Sequence, residues 1–329
     1  TGAEACGHSP RWSRKARAPK GGEEATGGPR GVGVDEALSR RDALMAYFYL
    51  GIVVATWAAT PLLVGHLCRD VPLFPLLTYQ TALAGGVNLI AALLSGGFKY
   101  RLREVIRMAP IGVIGIGLYQ TFYYTGLRSA PSGEANVANY LYPLWIVVWA
   151  KFLLGEPLTA RKLTSMILGF SGVVLVATEG KLALPQGGRT LGLLSASVGA
   201  MLWGLFSVLG KRYRYEEFSS MAVYNGVGLA YSLMMVGITG GSLKPEADVL
   251  PGVLFLGLVS NGLAFAFWFK SLSLGDTAKV ASLVYLTPFL AFLYLGLLRA
   301  EPVRPLALLG LVLVVGGSLL CCTPKTGHS

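Results

Sequence analysis

Charged residues are scarce in this chain: Asp, Glu, Lys and Arg make up 14% of its 329 residues, against about 25% in a typical soluble domain. Histidine is nearly missing, with three in all, and the four cysteines show no metal-binding or redox spacing. We therefore expect no His-based catalytic triad, no metal centre and no cofactor. No GxxxxGK[ST] motif occurs in the sequence, so ATP-driven transport by this chain is not expected either.

The apolar residues, in contrast, lie in long runs. They form 53% of the sequence, the mean hydropathy is +0.57, and each run can cross a hydrocarbon core of about 30 Å. This pattern predicts an all-α integral membrane protein with ten transmembrane helices. Helices buried in a large soluble protein would explain one or two such runs but not all of them. The predicted spans are 45–66, 74–96, 108–127, 132–154, 160–178, 191–210, 218–239, 251–271, 276–298 and 304–322.

The distribution of positive charge predicts the orientation. Residues 1–43 are rich in Gly, Arg and Glu, and we expect them to form a disordered basic N-terminal tail. With the N-terminus inside, 21 of the 28 Lys and Arg fall on the inner side, so both termini are predicted to be cytoplasmic. The net charge of +11 is thereby explained by topology, and no nucleic-acid partner is expected.

Short motifs recur at a fixed separation of 145 residues. "YLYP" (140–143) returns as "YLTP" (285–288), and "LLGEP" (153–157) returns as "LRAEP" (298–302). A duplicated five-helix unit, over 44–178 and 190–323, explains both matches. Because five is odd, the second copy must be inverted in the membrane, as in secondary transporters that bind substrate between two inverted repeats. A structural duplication without transport is the alternative.

The two repeats resemble the EamA type of the drug/metabolite transporter superfamily. Within it, "NYLYP", "YLTP" and "GGSLLC" (316–321) look like the bacterial aromatic amino acid exporters. The resemblance implies export of aromatic and other neutral amino acids across the bacterial inner membrane. Tyr142 stands where that family often has Trp. Export of lipophilic or cationic drugs or other metabolites is the alternative, since aromatic faces also bind cations.

By this similarity, aromatic residues of the repeated motifs would line the substrate cavity, with the Asn139 amide offered beside Pro143. Neutral polar residues elsewhere in the spans (Gln120, Thr121, Asn225, Ser260 and Asn261) suit a zwitterionic ligand. The substrate-binding residues expected on these grounds are Tyr119, Tyr123, Asn139, Tyr140, Tyr142, Trp203 and Tyr285.

Two prolines, Pro143 and Pro288, lie near the middle of their predicted spans. A proline inside a helix removes one hydrogen bond, which lipid cannot repair, so we expect these prolines to kink gating helices. A merely structural kink is the alternative. No Asp, Glu or His lies at mid-span, where proton-coupled transporters usually have one. We therefore expect facilitated diffusion by a monomer, with a small-molecule substrate and membrane lipid as its partners.

Overall fold

The computed structural model describes residues 31–178, 188–244, 248–299 and 305–322. Within these ranges the regular structure is entirely helical. The α-helices are α1 (Gly31–Asp70), α2 (Leu73–Leu94), α3 (Leu102–Gly112), α4 (Tyr119–Ser129), α5 (Ser132–Asn139), α6 (Tyr142–Leu154), α7 (Ala160–Thr178), α8 (Gly188–Tyr213), α9 (Glu217–Thr239), α10 (Leu250–Leu254), α11 (Ala264–Leu274), α12 (Thr277–Leu283), α13 (Thr287–Arg299) and α14 (Pro305–Cys322).

Seven helical stretches in the described residues are long and apolar enough to cross a membrane. The chain is accordingly a multi-pass membrane protein. The predicted count of ten spans goes beyond this finding and stays a prediction. The seven stretches are Arg40–Thr60, Leu73–Leu94, Leu102–Ser129, Glu134–Leu154, Gly188–Tyr213, Glu217–Thr239 and Leu250–Leu274.

The N-terminal helix begins earlier than the sequence predicts. We expected a disordered tail through residue 43, but α1 starts at Gly31, where good helix formers such as Glu36, Ala37 and Leu38 follow. Residues 1–30 of the predicted tail lie outside the described residues. The chain divides into two units, residues 1–39 and residues 40–329. The packing and the site described below belong to the second unit.

Two predicted spans, 132–154 and 276–298, are broken helices in the structure, which corrects the expectation of continuous, kinked ones. In the first, α5 ends at Asn139 and α6 starts at Tyr142, so that Pro143 lies in the first turn of α6. A first-turn residue has no intrahelical acceptor for its N–H, so proline loses nothing there. Ending α5 at Asn139 also avoids the clash between a proline ring and the carbonyl four residues earlier.

The second break has the same design. A short 3-10 segment, Val284–Leu286, follows α12, and α13 then starts at Thr287 with Pro288 in its first turn. The carbonyl of Val284 would lack a donor because Pro288 has no N–H. It accepts instead from the Thr287 hydroxyl at 2.7 Å and from the Thr287 backbone N–H. No backbone bond is therefore lost at this carbonyl.

Two other spans contain π-helical segments, which the sequence analysis did not predict. Val113–Leu118 joins α3 to α4, and Phe255–Leu263 joins α10 to α11. The two segments begin 142 residues apart, close to the separation of the repeated motifs. π-helical turns widen the helix locally and occur frequently at functional sites.

The first helix of each predicted repeat packs against the other half of the chain. α8 packs against α4 and α6. Likewise, α1 of the first half contacts α11 of the second half, where the Ser271 hydroxyl donates to the Ala46 backbone carbonyl at 2.9 Å. α2 packs against α9, and α7 packs against α14. The two halves are thus interlocked rather than laid side by side.

A close approach at Gly115 holds the interlocked helices together. The ring of Phe206, from α8, occupies the space that a Cβ at Gly115 would need. Phe206 is fully buried and packs against three further rings, with centroid distances of 5.5 Å to Trp203, 5.2 Å to Tyr224 and 4.9 Å to Phe269. The ring therefore has little room to move aside.

We expect Gly115→Ala to destabilise the fold because the added methyl overlaps a ring that cannot shift. Overpacking of a core costs about 1–3 kcal/mol. Gly86→Ala is the matched control: it lies on the exposed side of α2 with no atom near its Cβ position, and replacing Gly by Ala there favours the helix. Thermal unfolding in detergent should show a lower Tm for the first variant only. An unchanged Tm for Gly115→Ala would show that the contact is not tight.

Candidate functional site

A cavity of about 70 Å³ lies where the two halves meet. Its walls come from α1, α4, α5 and α6 of the first half, and from α8, the second π-helical segment, α11 and α13 of the second. The lining residues are Trp57, Thr60, Tyr119, Gln120, Tyr123, Tyr124, Asn136, Asn139, Tyr140, Tyr142, Trp203, Ser260, Asn261, Phe265 and Thr287.

Aromatic rings form one wall of the cavity. Trp203 is at its centre, with ring centroids 4.5 Å from Phe265, 4.8 Å from Tyr119 and 5.8 Å from Trp57. Tyr123 continues the wall, parallel to Tyr119 with centroids 5.8 Å apart. Such separations are those of favourable ring pairs, so the wall is packed from residues of both halves.

The second π-helical segment supplies polar partners to α1. The Trp57 indole N–H donates to the carbonyl of Ser260 at 3.4 Å. The hydroxyls of Thr60 and Ser260 are 3.0 Å apart. A buried indole N–H needs an acceptor, and the segment provides one at the edge of the cavity. These bonds link α1 to the opposite half at the depth of the site.

A chain of amides runs from the core to the cavity. The Tyr124 hydroxyl donates to the side-chain carbonyl oxygen of Gln80 at 2.9 Å. The side-chain amide nitrogen of Gln80 in turn donates to the side-chain carbonyl oxygen of Gln120. Three side-chain atoms have no hydrogen-bond partner among the described residues: the amide nitrogen of Gln120, the carbonyl oxygen of Asn139 and the amide nitrogen of Asn261. Three amide residues that line one small cavity thus each have one buried atom without a hydrogen-bond partner.

Charge is kept out of the cavity and lies at both ends of α8. None of the lining residues is ionisable to a carboxylate or a cation. At one end, the Arg189 guanidinium forms a two-point ion pair with Glu134 of α5, with Nε 2.6 Å from the carboxylate. At the other end, the Lys211 ammonium lies 3.7 Å from Glu156 and 2.6 Å from the Thr277 hydroxyl, which itself donates to Glu156.

The structure brings most of the predicted binding residues together. Six of them line the cavity: Tyr119, Tyr123, Asn139, Tyr140, Tyr142 and Trp203. Tyr285 does not. It is fully buried against Val147 and Met166, and its ring fills the space beside Gly169. Pro143 and Pro288 are not lining residues, but each follows one, Tyr142 and Thr287 respectively.

Tyr285 is displaced because the two helix breaks differ in geometry. The first break is an irregular turn at Tyr140 and Leu141, whereas the second is a 3-10 segment. A 3-10 helix has 3.0 residues per turn instead of 3.6, so Tyr285, within that segment, points in a different direction from Tyr140. Thr287 and Tyr142, which occupy the same position of the recurring motif, both line the cavity.

Several lining residues were missed as binding residues by the sequence analysis. Thr287 could have been found, because it stands in "YLTP" where the other copy has Tyr142. Two of the neutral polar residues singled out, Thr121 and Asn225, lie elsewhere: Thr121 bonds to the Gly117 carbonyl and Asn225 to the Met221 carbonyl. The other three neutral polar residues singled out, Gln120, Ser260 and Asn261, do line the cavity. The lining residues not proposed from the sequence also include Trp57, Thr60, Tyr124, Asn136 and Phe265.

Residues 44–178 and 190–323 each match the EamA-like transporter family. The chain belongs to this family. It is therefore a transporter of small molecules and not an enzyme.

Individual relatives cover most of this EamA-like transporter. The protein named aromatic amino acid exporter YddG, from Ancylobacter novellus, is 29% identical over 255 residues, 75% of this chain and 87% of that protein. A protein from Streptantibioticus cattleyicolor named probable terminal-alkyne amino-acid exporter is 28% identical over 284 residues, 84% of this chain and 92% of that one. A crystal structure shares the fold with a TM-score of 0.73 and 24% identity, covering 86% of this chain and 96% of its own.

The transporter cavity is contracted in this conformation. Small-molecule sites usually measure about 300–1,000 Å³, several times the about 70 Å³ present here. Ion pairs join the first half to α8 at both of its ends. An amino acid with an aromatic side chain would need the cavity walls to move apart before it could enter.

We expect Tyr285→Phe to leave both stability and transport unchanged. The Tyr285 hydroxyl is buried and has no partner among the described residues, so removing it leaves nothing unsatisfied. Tyr124→Phe is the contrasting variant, because it takes the donor from Gln80 and should cost about 1–3 kcal/mol. Thermal unfolding and substrate flux of the two purified variants test this. A loss of transport in Tyr285→Phe at wild-type stability would return Tyr285 to the substrate site.

Proposed function

We propose that this transporter exports aromatic and other neutral amino acids across the bacterial inner membrane by facilitated diffusion. The observation that carries the proposal is the cavity between the two halves, which combines an aromatic wall with buried neutral amides and has no charged lining residue. Aromatic faces suit an apolar side chain, and amides suit a polar group of no net charge. The names of the two relatives, both amino-acid exporters, support the same substrate class.

Export of organic cations is the competing function. Aromatic rings attract cations through their faces, and the wall around Trp203 could do so. A buried cation without a counter-ion is costly, however, and no Asp or Glu lines the cavity. The neutral lining therefore favours a zwitterion over a cationic drug.

We further propose that the transporter is built from ten spans in two inverted repeats, as the repeated motifs indicate. Three pairs of matched features support this arrangement. Each predicted repeat has a broken helix with a first-turn proline, Pro143 and Pro288. Each also has a π-helical segment, and the first helix of each contacts the opposite half: α8 packs on α4 and α6, and α1 accepts a hydrogen bond from Ser271 of α11. The prolines then stand at equivalent gating positions, where a broken helix can change its angle at low cost.

The ion pairs at the two ends of α8 would act as the two gates of an alternating-access cycle. Arg189 and Lys211 are 22 residues apart, or about 33 Å along a helix, which is close to the thickness of a hydrocarbon core. Each pairs with a carboxylate of the first half. With the predicted orientation, the Arg189–Glu134 clamp is extracellular and the Lys211–Glu156 clamp is cytoplasmic. Opening one side requires one clamp to separate while the other holds.

The location and partners follow from the same arrangement. Both termini are cytoplasmic in the proposed orientation, and the protein functions as a monomer because one chain supplies both halves of the cavity. Large apolar side chains on the outer surface, such as Leu94, Ile238 and Val312, would contact lipid. No nucleic-acid partner is part of the proposal.

Transport by purified protein in proteoliposomes tests the proposed function. We expect labelled phenylalanine to equilibrate down its own gradient and to exchange against internal phenylalanine, without a requirement for a proton gradient, because no ionisable acid lines the cavity. An excess of unlabelled tryptophan should compete, whereas an organic cation such as tetraphenylphosphonium should compete poorly. Concentrative uptake that collapses on adding a protonophore would contradict passive transport. Competition by the cation alone would establish the drug-exporter alternative.

We expect substitution of either clamp to bias the accessible side. Glu134→Gln should expose the cavity to the outside, and Glu156→Gln should expose it to the cytoplasm. Both pairs are partly exposed to solvent, so each contributes at most about 1 kcal/mol, a shift of about fivefold. The reporter is Thr60→Cys, a lining position, in a background without the native cysteines. Its rate of labelling by an impermeant maleimide is compared in whole cells and in inverted vesicles.

Glu217→Gln is the matched control for the clamp variants. It removes an ion pair to Lys270 at 3.2 Å that joins two helices of the same half, α9 and α11. Labelling from both sides should stay at the level of the parent protein. Equal labelling changes in all three variants would mean that the pairs stabilise the fold rather than control access.

A further inference from the structure

We infer that Gln120, Asn139 and Asn261 form a polar subsite that binds the α-carboxylate and the α-ammonium group of the substrate, while the aromatic wall holds its side chain. The inference rests on the proposed amino-acid transport. It names the side-chain atoms that would bind the α-carboxylate and α-ammonium groups, which all amino acids share. Both charged groups of the ligand are then necessary for tight binding.

The three side chains line the same cavity, and each has one buried atom without a partner among the described residues. Their exposed fractions are 1% for Gln120, 9% for Asn139 and 6% for Asn261, and all three line the cavity. An amide atom buried without a partner is costly, and most buried polar groups in folded proteins have one. Three such atoms at one cavity of about 70 Å³ indicate that a bound molecule completes their hydrogen bonds.

The hydrogen-bond chain decides which kind of atom faces the ligand. Because the Tyr124 hydroxyl donates to Gln80 and Gln80 donates to the carbonyl of Gln120, Gln120 has its N–H groups left to donate. The amide nitrogen of Asn261 is also an unused donor. Two N–H donors match a carboxylate, which only accepts hydrogen bonds. The unused atom of Asn139 is its carbonyl oxygen, an acceptor that matches an ammonium group.

The broken helices add positive potential beside the donors. Tyr142 and Thr287 are the first residues of α6 and α13, two helices of 13 residues each, and both line the cavity. A helix N-terminus carries a partial positive charge, and discontinuous transmembrane helices direct such ends towards anionic groups of substrates. The N-termini therefore reinforce the binding of the carboxylate. The Asn139 carbonyl, at the C-terminal end of α5, lies where a cation is favoured.

Both ligand charges are needed because each compensates for a different unsatisfied group. Phenethylamine, which lacks the carboxylate, would leave the N–H groups of Gln120 and Asn261 unpartnered and bury a net positive charge. The 3-phenylpropionate ion lacks the ammonium group and would leave Asn139 unpartnered. A site built to hydrogen-bond a group rejects ligands that lack it much more strongly than ligands that differ by a methylene.

Binding to the purified full-length protein in detergent tests the subsite without interference from membrane permeation. Titrations followed by the fluorescence of the cavity tryptophans give the Kd of phenylalanine, phenethylamine and 3-phenylpropionate. We expect each analogue to bind at least tenfold more weakly than phenylalanine. An analogue that binds as tightly as phenylalanine overturns the subsite and leaves the proposed function standing. Failure to bind phenylalanine, tryptophan or any other neutral amino acid instead overturns the proposed function, and the subsite with it.

Leucine substitutions assign the two charged groups to their residues. Asn261→Leu should weaken phenylalanine binding about tenfold, the effect of a lost hydrogen bond to a charged group, and leave phenethylamine binding unchanged. Asn139→Leu should weaken phenylalanine binding similarly and leave 3-phenylpropionate binding unchanged. Asn261→Leu should leave Tm unchanged, because its amide nitrogen has no partner among the described residues. Asn139→Leu should lower Tm only slightly, because the unpartnered carbonyl oxygen that it removes offsets the loss of the hydrogen bond between Asn139 and Tyr119. Gln120 is not substituted, since its carbonyl also accepts from Gln80.

Asn225→Leu is the control for these variants. Asn225 is a fully buried asparagine that also has an unpartnered carbonyl oxygen, but it lies outside the cavity lining. The Asn225→Leu substitution should leave the Kd of phenylalanine, phenethylamine and 3-phenylpropionate unchanged. If Asn139→Leu and Asn261→Leu weaken all three ligands equally, or lower Tm together with affinity, the amides have a packing role and the inference is wrong.

Discussion

One constraint underlies the architecture: in lipid, every backbone N–H and C=O group must find its partner within the protein. A helix can therefore be interrupted at mid-span only where the freed groups are capped or line a cavity. Both breaks of this transporter satisfy the rule. The prolines stand in first turns, where no backbone bond is lost, and the Val284 carbonyl is capped by Thr287. The interruptions then place Tyr140, Tyr142 and Thr287 at the cavity.

The cavity follows from these interruptions. Its wall of rings is joined across the two halves by contacts of Trp57 and Trp203, so any opening must separate aromatic pairs as well as ion pairs. Each of these interactions is individually weak, at about 1 kcal/mol. A substrate that offers its own ring and hydrogen bonds can replace them, which keeps the closed and bound states close in free energy. The proposed facilitated diffusion requires such a balance, because in passive transport no coupled ion supplies a driving force.

Family membership defines the general activity of this chain, whereas the chemistry of the cavity bears on its substrate. The match over both repeats shows that the chain is an EamA-like transporter. Relatives at 28–29% identity can differ at lining positions, so the substrate class depends on the residues of the cavity itself. Tyr142 keeps the aromatic wall continuous, because its ring meets those of Trp57 and Trp203 at centroid distances of 6.5 Å.

The sequence alone determined the membrane character and the positions of most helices, because these depend on the composition of long apolar runs. The recurring motifs also predict a duplication. It also located six of the aromatic and amide residues that meet at the cavity. It did not determine the helix ends within a span, the π-helical segments or the hydrogen-bond chain through Gln80 and Gln120. These depend on which face each side chain takes, and a helix turns by about 100° per residue. Tyr285, within its 3-10 segment, therefore packs beside Gly169, whereas Tyr140 at the other break lines the cavity, an outcome that only the packed structure decides.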